Sequence, residues 1–100
     1  MTYSVHPTAQ FIEEYDRAVA YACSVWGERM ETRLDDRLAE IVHVLSFFPE
    51  TFPKAEYPGQ HIRKVPFYGP MVLYYQVVLD EHLVWLVSLW DGRREGTPRL

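Results

Sequence analysis

Apolar and polar positions along this 100-residue chain change period near its middle. In the first half Ile12, Tyr15, Val19, Ala22, Cys23 and Trp26 step mainly by three and four, the spacing that lines up one face of a helix. Thr8 is placed to cap the start of that helix. Gly27 is placed to close it, because glycine enters the left-handed region without a Cβ clash. A second stripe, Leu34, Leu38, Ile41, Val42, Leu45 and Phe48, predicts a helix from about Glu28 to Phe48 that Pro49 stops. Its other side carries Arg29, Glu31, Arg33, Asp35, Asp36, Arg37 and Glu40 and reads as a solvated face. Two amphipathic helices with so short a link predict a helical hairpin.

Residues 49–60 hold three prolines and a glycine, which predicts a loop whose aromatic residues pin it to the domain. Beyond the loop the period falls toward two. His61 to Phe67, Met71 to Val78 and Leu83 to Trp90 read as strands, and the links between them suit antiparallel hairpins. A further strand is expected over Tyr3 to Val5, ahead of Pro7. The predicted order is β-α-α-β-β-β, a single α+β domain over residues 1–100. It comprises an N-terminal strand, a helical hairpin and a three-stranded antiparallel meander, with the helices on one sheet face. Alternation assigns Leu73, Tyr75 and Val77 to the covered face with Trp85, Val87 and Leu89. Val72, Tyr74 and Gln76 fall on the open face with Val84, Leu86, Ser88 and Trp90. Val72, Tyr74, Leu86 and Trp90 would then leave much apolar surface exposed, and a protein segment is expected to bind there.

Composition keeps this picture and narrows the partners. With 48% hydrophobic, 15% aromatic and 24% charged residues the chain belongs with globular domains. Its single cysteine, Cys23, cannot form an internal disulfide and reads as a structural thiol in a reducing compartment. The N-terminus has no basic start followed by an apolar stretch, and no run approaches the roughly 20 apolar residues that span a bilayer. A cytoplasmic protein without membrane contact is expected.

The net charge of −4 argues against binding free nucleic acid. The charge is uneven: residues 1–50 carry four Arg against nine acids, and residues 51–100 carry six Lys or Arg against five. Between Gly59 and Leu79, where His61, Arg63 and Lys64 lie, there is no acid. His6, His43, His61 and His82 are too scattered for a metal site, and the glycines read as turns or caps rather than a phosphate loop. No metal or cofactor is expected. The acid pairs Glu13–Glu14 and Asp35–Asp36 are adjacent on helices, so their side chains diverge.

The remaining chemistry lies in His61, Arg63, Lys64, Tyr68, Tyr74, Arg93 and Arg94. Wet strand ends need charge to blunt edge pairing, and that alone would account for any one of them. Taken together they suggest more, because Arg63 and Arg94 are expected on neighbouring strands, where two guanidinium groups can clamp phosphate or carboxylate. Arg94 is expected to point into such a site, and Arg93 to be solvated.

The order of elements, the hairpin ending Leu45-Ser46-Phe47-Phe48-Pro49, the strand Val72-Leu73-Tyr74-Tyr75-Gln76-Val77 and the ending Trp90-Asp91-Gly92-Arg93-Arg94 resemble the RelE/ParE superfamily. Its members are the toxins of type II toxin–antitoxin modules, often labelled plasmid stabilisation proteins. The resemblance covers nearly the whole chain. It implies a cognate antitoxin as partner and one of two targets. RelE-like members are ribosome-dependent endoribonucleases that cut mRNA with Arg, Lys and Tyr side chains, whereas ParE-like members inhibit DNA gyrase through protein contacts.

Arg94 matches the nuclease arginine after the last strand, and Arg63 or Lys64 matches a basic residue of the strand after the loop. Another nuclease arginine falls on Val72, and the tail tyrosine falls near Thr97 and Pro98. The ribonuclease set therefore reads as incomplete, since electrostatic stabilisation of a phosphorane needs its donors in place. The ParE-like reading is favoured, with Arg63, Lys64, Val72, Tyr74, Leu86, Trp90, Arg93 and Arg94 as partner-binding residues. In the alternative, a RelE-like nuclease acting on ribosome-bound mRNA, Arg63, Lys64 and Arg94 would stabilise charge, and Tyr74, Tyr68 or His61 would move the proton. A third possibility is a domain that has kept the fold for partner binding alone.

Overall fold

The computed structural model describes residues 2–100. Its elements are β1 (Ser4–Pro7), α1 (Ala9–Trp26), α2 (Arg29–Phe47), β2 (Ile62–Tyr68), β3 (Met71–Val78), a short 3-10 turn (Leu79–Glu81) and β4 (Leu83–Asp91). The order is the one the sequence predicts. Thr8 caps α1 by accepting from the Phe11 N–H at 3.2 Å, and Gly27 closes it at φ 101°.

The strands form one sheet in the order β1-β4-β3-β2. The pairs β2–β3 and β3–β4 are antiparallel, whereas β1 runs parallel to β4, so the sheet is mixed. The helical hairpin supplies the long crossover that a parallel neighbour needs. It buries Phe11, Ala22, Met30, Leu34, Ile41 and Leu45 against Val65, Phe67, Leu73, Tyr75, Val77, Val84, Leu86 and Leu89. The apolar stripe of α1 runs through Phe11, Tyr15, Ala18 and Ala22. Ile12, Trp26 and Phe48, expected in the stripes, are instead 48%, 62% and 68% exposed.

One irregularity corrects the assignment of faces. Tyr74 pairs with Ser88 but Tyr75 pairs with Leu86, which leaves Val87 as the extra residue of a β-bulge. The bulge resets the alternation, so Val84 and Leu86 face the helices with Val77 and Tyr75 rather than lying on the open side. Leu86 is 3% exposed and belongs to the core.

The β2 edge is closed, and β4 is capped where it runs past β1. Where β1 ends, the Thr8 N–H and hydroxyl donate to the Leu86 carbonyl at 2.9 and 3.0 Å. The Glu14 carboxylate accepts from the Leu89 N–H at 3.2 Å and from the Ser88 hydroxyl at 2.8 Å. Along β2, the Ala55 N–H donates to the Ile62 carbonyl and the Lys64 N–H to the Pro53 carbonyl. Arg37 donates to the Phe67 and Pro66 carbonyls at 2.7 and 2.8 Å, and Pro66 has no N–H to offer. The four-residue β1 is too short to template another chain.

The face away from the helices is covered in part by the chain itself. Tyr57, from the loop after α2, meets Tyr74 edge-on at 6.1 Å, and its hydroxyl donates to the Pro98 carbonyl at 2.5 Å. Gln10 donates to the Arg99 carbonyl at 2.8 Å, which ties the tail to α1. Tyr74 is left 6% exposed.

Candidate functional site

The predicted basic and aromatic residues separate into two groups. Arg63 lies opposite Tyr75, which pairs with Leu86, while Arg94 follows the end of β4 at Asp91. Four residues along β3, from Tyr75 to Met71 or about 14 Å, and the width of β3 separate the two levels. Adjacency of β2 and β4 was the premise for an arginine clamp, and β3 lies between them. The Arg63 guanidinium donates to the Phe52 carbonyl at 2.6 Å and lies 3.5 Å from the Glu50 carboxylate. It fastens the loop behind α2. His61 is exposed in the left-handed region at φ 54°, and Lys64 is exposed opposite Tyr74. Burial, with a smaller contribution from Tyr57, pushes the Tyr74 phenol above its ordinary pKa, the reverse of what a general base needs.

The second group forms a groove of about 820 Å³ between α1, the start of α2, the β2–β3 turn and the end of β4. Tyr68, Trp90, Arg93 and Arg94 line it, joined by Arg17, Tyr21, Trp26 and Arg33 from the helices. Gly92 shapes its floor: the Gly92 N–H donates to the Pro70 carbonyl at 2.8 Å, and a Cβ there would stand 2.9 Å from that same oxygen. The chain can then deliver Arg93 and Arg94 directly after the strand. Arg93 forks onto Asp91 through two side-chain bonds of 3.1 and 2.9 Å, and its N–H donates to the same carboxylate. These bonds hold the Asp91 carboxyl down at about 2. Arg94 instead lies over the Trp90 ring, 4.4 Å from its centroid.

The groove's acids are already engaged, Glu14 by Ser88 and Leu89 and Asp91 by Arg93. Among the described residues, Arg33 and Arg94 have no carboxylate within 4 Å. Tyr21 and Trp26, packed edge to face at 6.1 Å, form an aromatic rim with 60% and 62% exposure. The Trp90 indole N–H is buried without a partner. Aromatic rings and cations without carboxylate partners thus line this surface, and no cluster of three metal-ligating side chains occurs among the described residues. Arg17 and Arg33 are missed by a sequence reading because they look like ordinary solvated helix positions. Tyr21, an aromatic residue off the apolar stripe, is the helix signal that could have pointed here. Val72, half-buried opposite Trp90, stands on the outer face.

A family model described as the ParE toxin of the type II toxin–antitoxin system parDE matches residues 5–96. No curated protein matches the sequence. Among solved structures, the chain is similar to one of the chromosomal ParDE system of P. aeruginosa, with a TM-score of 0.72 at 13% identity over 89% of this chain and 95% of that one. It is also similar to the archaeal RelE–RelB complex of Pyrococcus horikoshii, with 0.60 at 20% identity over 94% and 99%. The intact E. coli RelBE complex gives 0.60 at 18% identity over 92% and 99%. No helix among the described residues is long and apolar enough to cross a membrane.

Proposed function

The chain belongs to the ParE toxin family of type II toxin–antitoxin systems, and from that premise we propose that it is a ParE-like toxin that inhibits DNA gyrase through protein contacts and is neutralised by a cognate antitoxin. The observation that carries this reading is the state of the outer sheet face. A ribonuclease of this superfamily needs a set of charged and phenolic groups free to meet RNA there. In this chain Val72 stands where an arginine is expected, Tyr74 is sealed beneath Tyr57, and Arg63 is consumed by the Phe52 carbonyl and Glu50. Lys64, exposed opposite Tyr74, and Arg94, stacked on Trp90 at the mouth of the groove, remain. Cations without the missing arginine and tail tyrosine can anchor a protein partner but are an incomplete set for stabilising a phosphorane. The net charge of −4 supports the same choice, since it opposes approach to ribosomal RNA. The reading places the toxin in the cytoplasm, where gyrase works.

The test is a pair of assays on the purified full chain: supercoiling by purified gyrase, and cleavage of mRNA on programmed ribosomes. Loss of supercoiling with intact mRNA is expected. Cleaved mRNA with undisturbed supercoiling would overturn the proposal in favour of the RelE-like alternative.

A further inference from the structure

We infer that the end of the domain remote from the groove, built from Phe47, Phe48 and the turn Leu79–Glu81, is the surface that meets the target enzyme, and that it docks on Lys and Arg side chains set around apolar pockets. The inference rests on the gyrase reading above and adds the surface and the chemistry of the contact.

Four elements come together at this end: α2 finishes, β1 and β4 begin, and β3 runs into the 3-10 turn. The Tyr3 N–H donates to the Ser46 carbonyl at 2.7 Å, and the Tyr3 ring lies 5.2 Å from that of His82. His82 closes the turn in the left-handed region at φ 52°, with its N–H on the Leu79 carbonyl. Phe47, Phe48 and Leu79 are 49%, 68% and 48% exposed, and none of them belongs to the core. Their apolar character therefore does little for the fold. Phe47 is braced by His43 at 5.3 Å and by Phe48 at 6.4 Å, which makes the rings one patch. With Leu79 they offer roughly 300 Å² of apolar surface, the size of an anchor inside an interface of about 800 Å² a side.

Charge selects the occupant. Asp80 and Glu81 are exposed and have no cation within 4 Å among the described residues, and Arg63 is already committed to Glu50. Such an end repels nucleic acid and anionic lipid. A second copy of the chain fits poorly: a two-fold contact would set Asp80 and Glu81 against themselves, and a contact with the groove of the next copy would not close. A protein that handles DNA carries Lys and Arg for the phosphates. Exposed phenylalanines edged by acids complement such a surface, and gyrase is such an enzyme.

The test uses the full chain and purified gyrase. Inhibition of supercoiling and binding to immobilised gyrase would be compared for the wild type, Phe48→Ala, Phe47→Ala, Asp80→Lys and Asp36→Lys, with thermal melts as a check on folding. Asp36 is an exposed acid in the middle of α2, so Asp36→Lys makes the same change of net charge away from this end. We expect Phe48→Ala to raise the concentration for half-inhibition about tenfold and Asp80→Lys about fivefold, with Asp36→Lys within about twofold. Phe47→Ala reports on the same patch if Phe48→Ala is poorly folded. Added salt should weaken binding of the wild type more than that of Asp80→Lys. Inhibition by both phenylalanine variants within about twofold of the wild type, or equal losses from Asp80→Lys and Asp36→Lys, would overturn the inference while leaving gyrase as the target. Self-association of the wild type in sedimentation, abolished by Phe48→Ala, would assign this end to a second copy and overturn it as well. Failure of the wild-type chain to inhibit gyrase would overturn the target reading itself, and this inference with it.

Discussion

Replacing Glu14 with alanine should destabilise the domain through two donors at once. The Glu14 carboxylate accepts from the Ser88 hydroxyl at 2.8 Å and from the Leu89 N–H at 3.2 Å, where β4 has passed the end of β1 and has no strand on that side. Ser88 is 0% and Leu89 7% exposed, so neither donor can turn to bulk water within the native fold. A buried donor left unsatisfied costs about 1–3 kcal/mol. Glu14 itself is only half-buried at the wall of the groove, so a water can replace part of what is lost. A net loss of about 2–3 kcal/mol follows. For a domain of this size each kcal/mol is worth about 4–8 °C, so Tm should fall by roughly 10–20 °C. Ser88→Ala keeps the Leu89 bond and should cost about 1 kcal/mol. In the double variant the hydroxyl is no longer stranded, so a double-mutant cycle should show a coupling of about 1 kcal/mol. Urea denaturation of the four proteins measures it. A stability for Glu14→Ala within about 0.5 kcal/mol of wild type, the range of an ordinary surface change, would refute the edge-capping role and leave Glu14 as a groove residue only.

Other perturbations probe the remaining closures. Tyr57→Phe removes the bond to the Pro98 carbonyl; it should cost about 1 kcal/mol and speed hydrogen exchange in residues 95–100, and unchanged exchange would show that the tail is held by other contacts. Arg37→Ala exposes the Pro66 and Phe67 carbonyls of β2, so sedimentation should reveal concentration-dependent association absent from the wild type. Burial pushes the Tyr75 phenol from 10.0 up to about 12. Its neutral form therefore contributes stability that is complete below pH 10 and lost as pH rises toward 12, and ultraviolet titration of Tyr75→Phe against wild type should remove one of the late phenolates, beside those of Tyr15 and Tyr74, which burial also delays.

Much of the scaffold was legible because its signals are local. The cap at Thr8, the end at Gly27, the loop after Pro49 and the three C-terminal strands each depend on a few neighbouring residues. The phase of β4 was not legible, for a physical reason. Val84 to Val87 are all apolar, so Ser88 alone marked the polar side, and Ser88 is a buried hydroxyl satisfied by a carboxylate from α1. One bulged residue, Val87, then moved Leu86 from the expected binding face into the core. The supposed Arg63–Arg94 clamp failed on topology: β2 and β4 flank β3, and no local pattern announces strand order. The groove was half visible, through Tyr68, Trp90, Arg93 and Arg94. Its other half comes from Arg17 and Arg33, which only the packing of the hairpin distinguishes from solvated positions.

The closures also bear on why a binding surface of this composition is tolerated in a free domain. A sheet with a bare edge and a bare apolar face would pair with copies of itself before it met a partner. This chain gives Glu14, Arg37, Pro66 and Tyr57 to sealing those surfaces, and keeps the exposed rings of Tyr21 and Trp26 at a groove lined by Arg17, Arg33, Arg93 and Arg94. Repulsion between two such grooves disfavours self-association, and the same charges attract an acidic partner. The arginines after Gly92 therefore differ: Arg93 braces the turn through Asp91, and Arg94 rests on Trp90 as a cation with no carboxylate within 4 Å among the described residues.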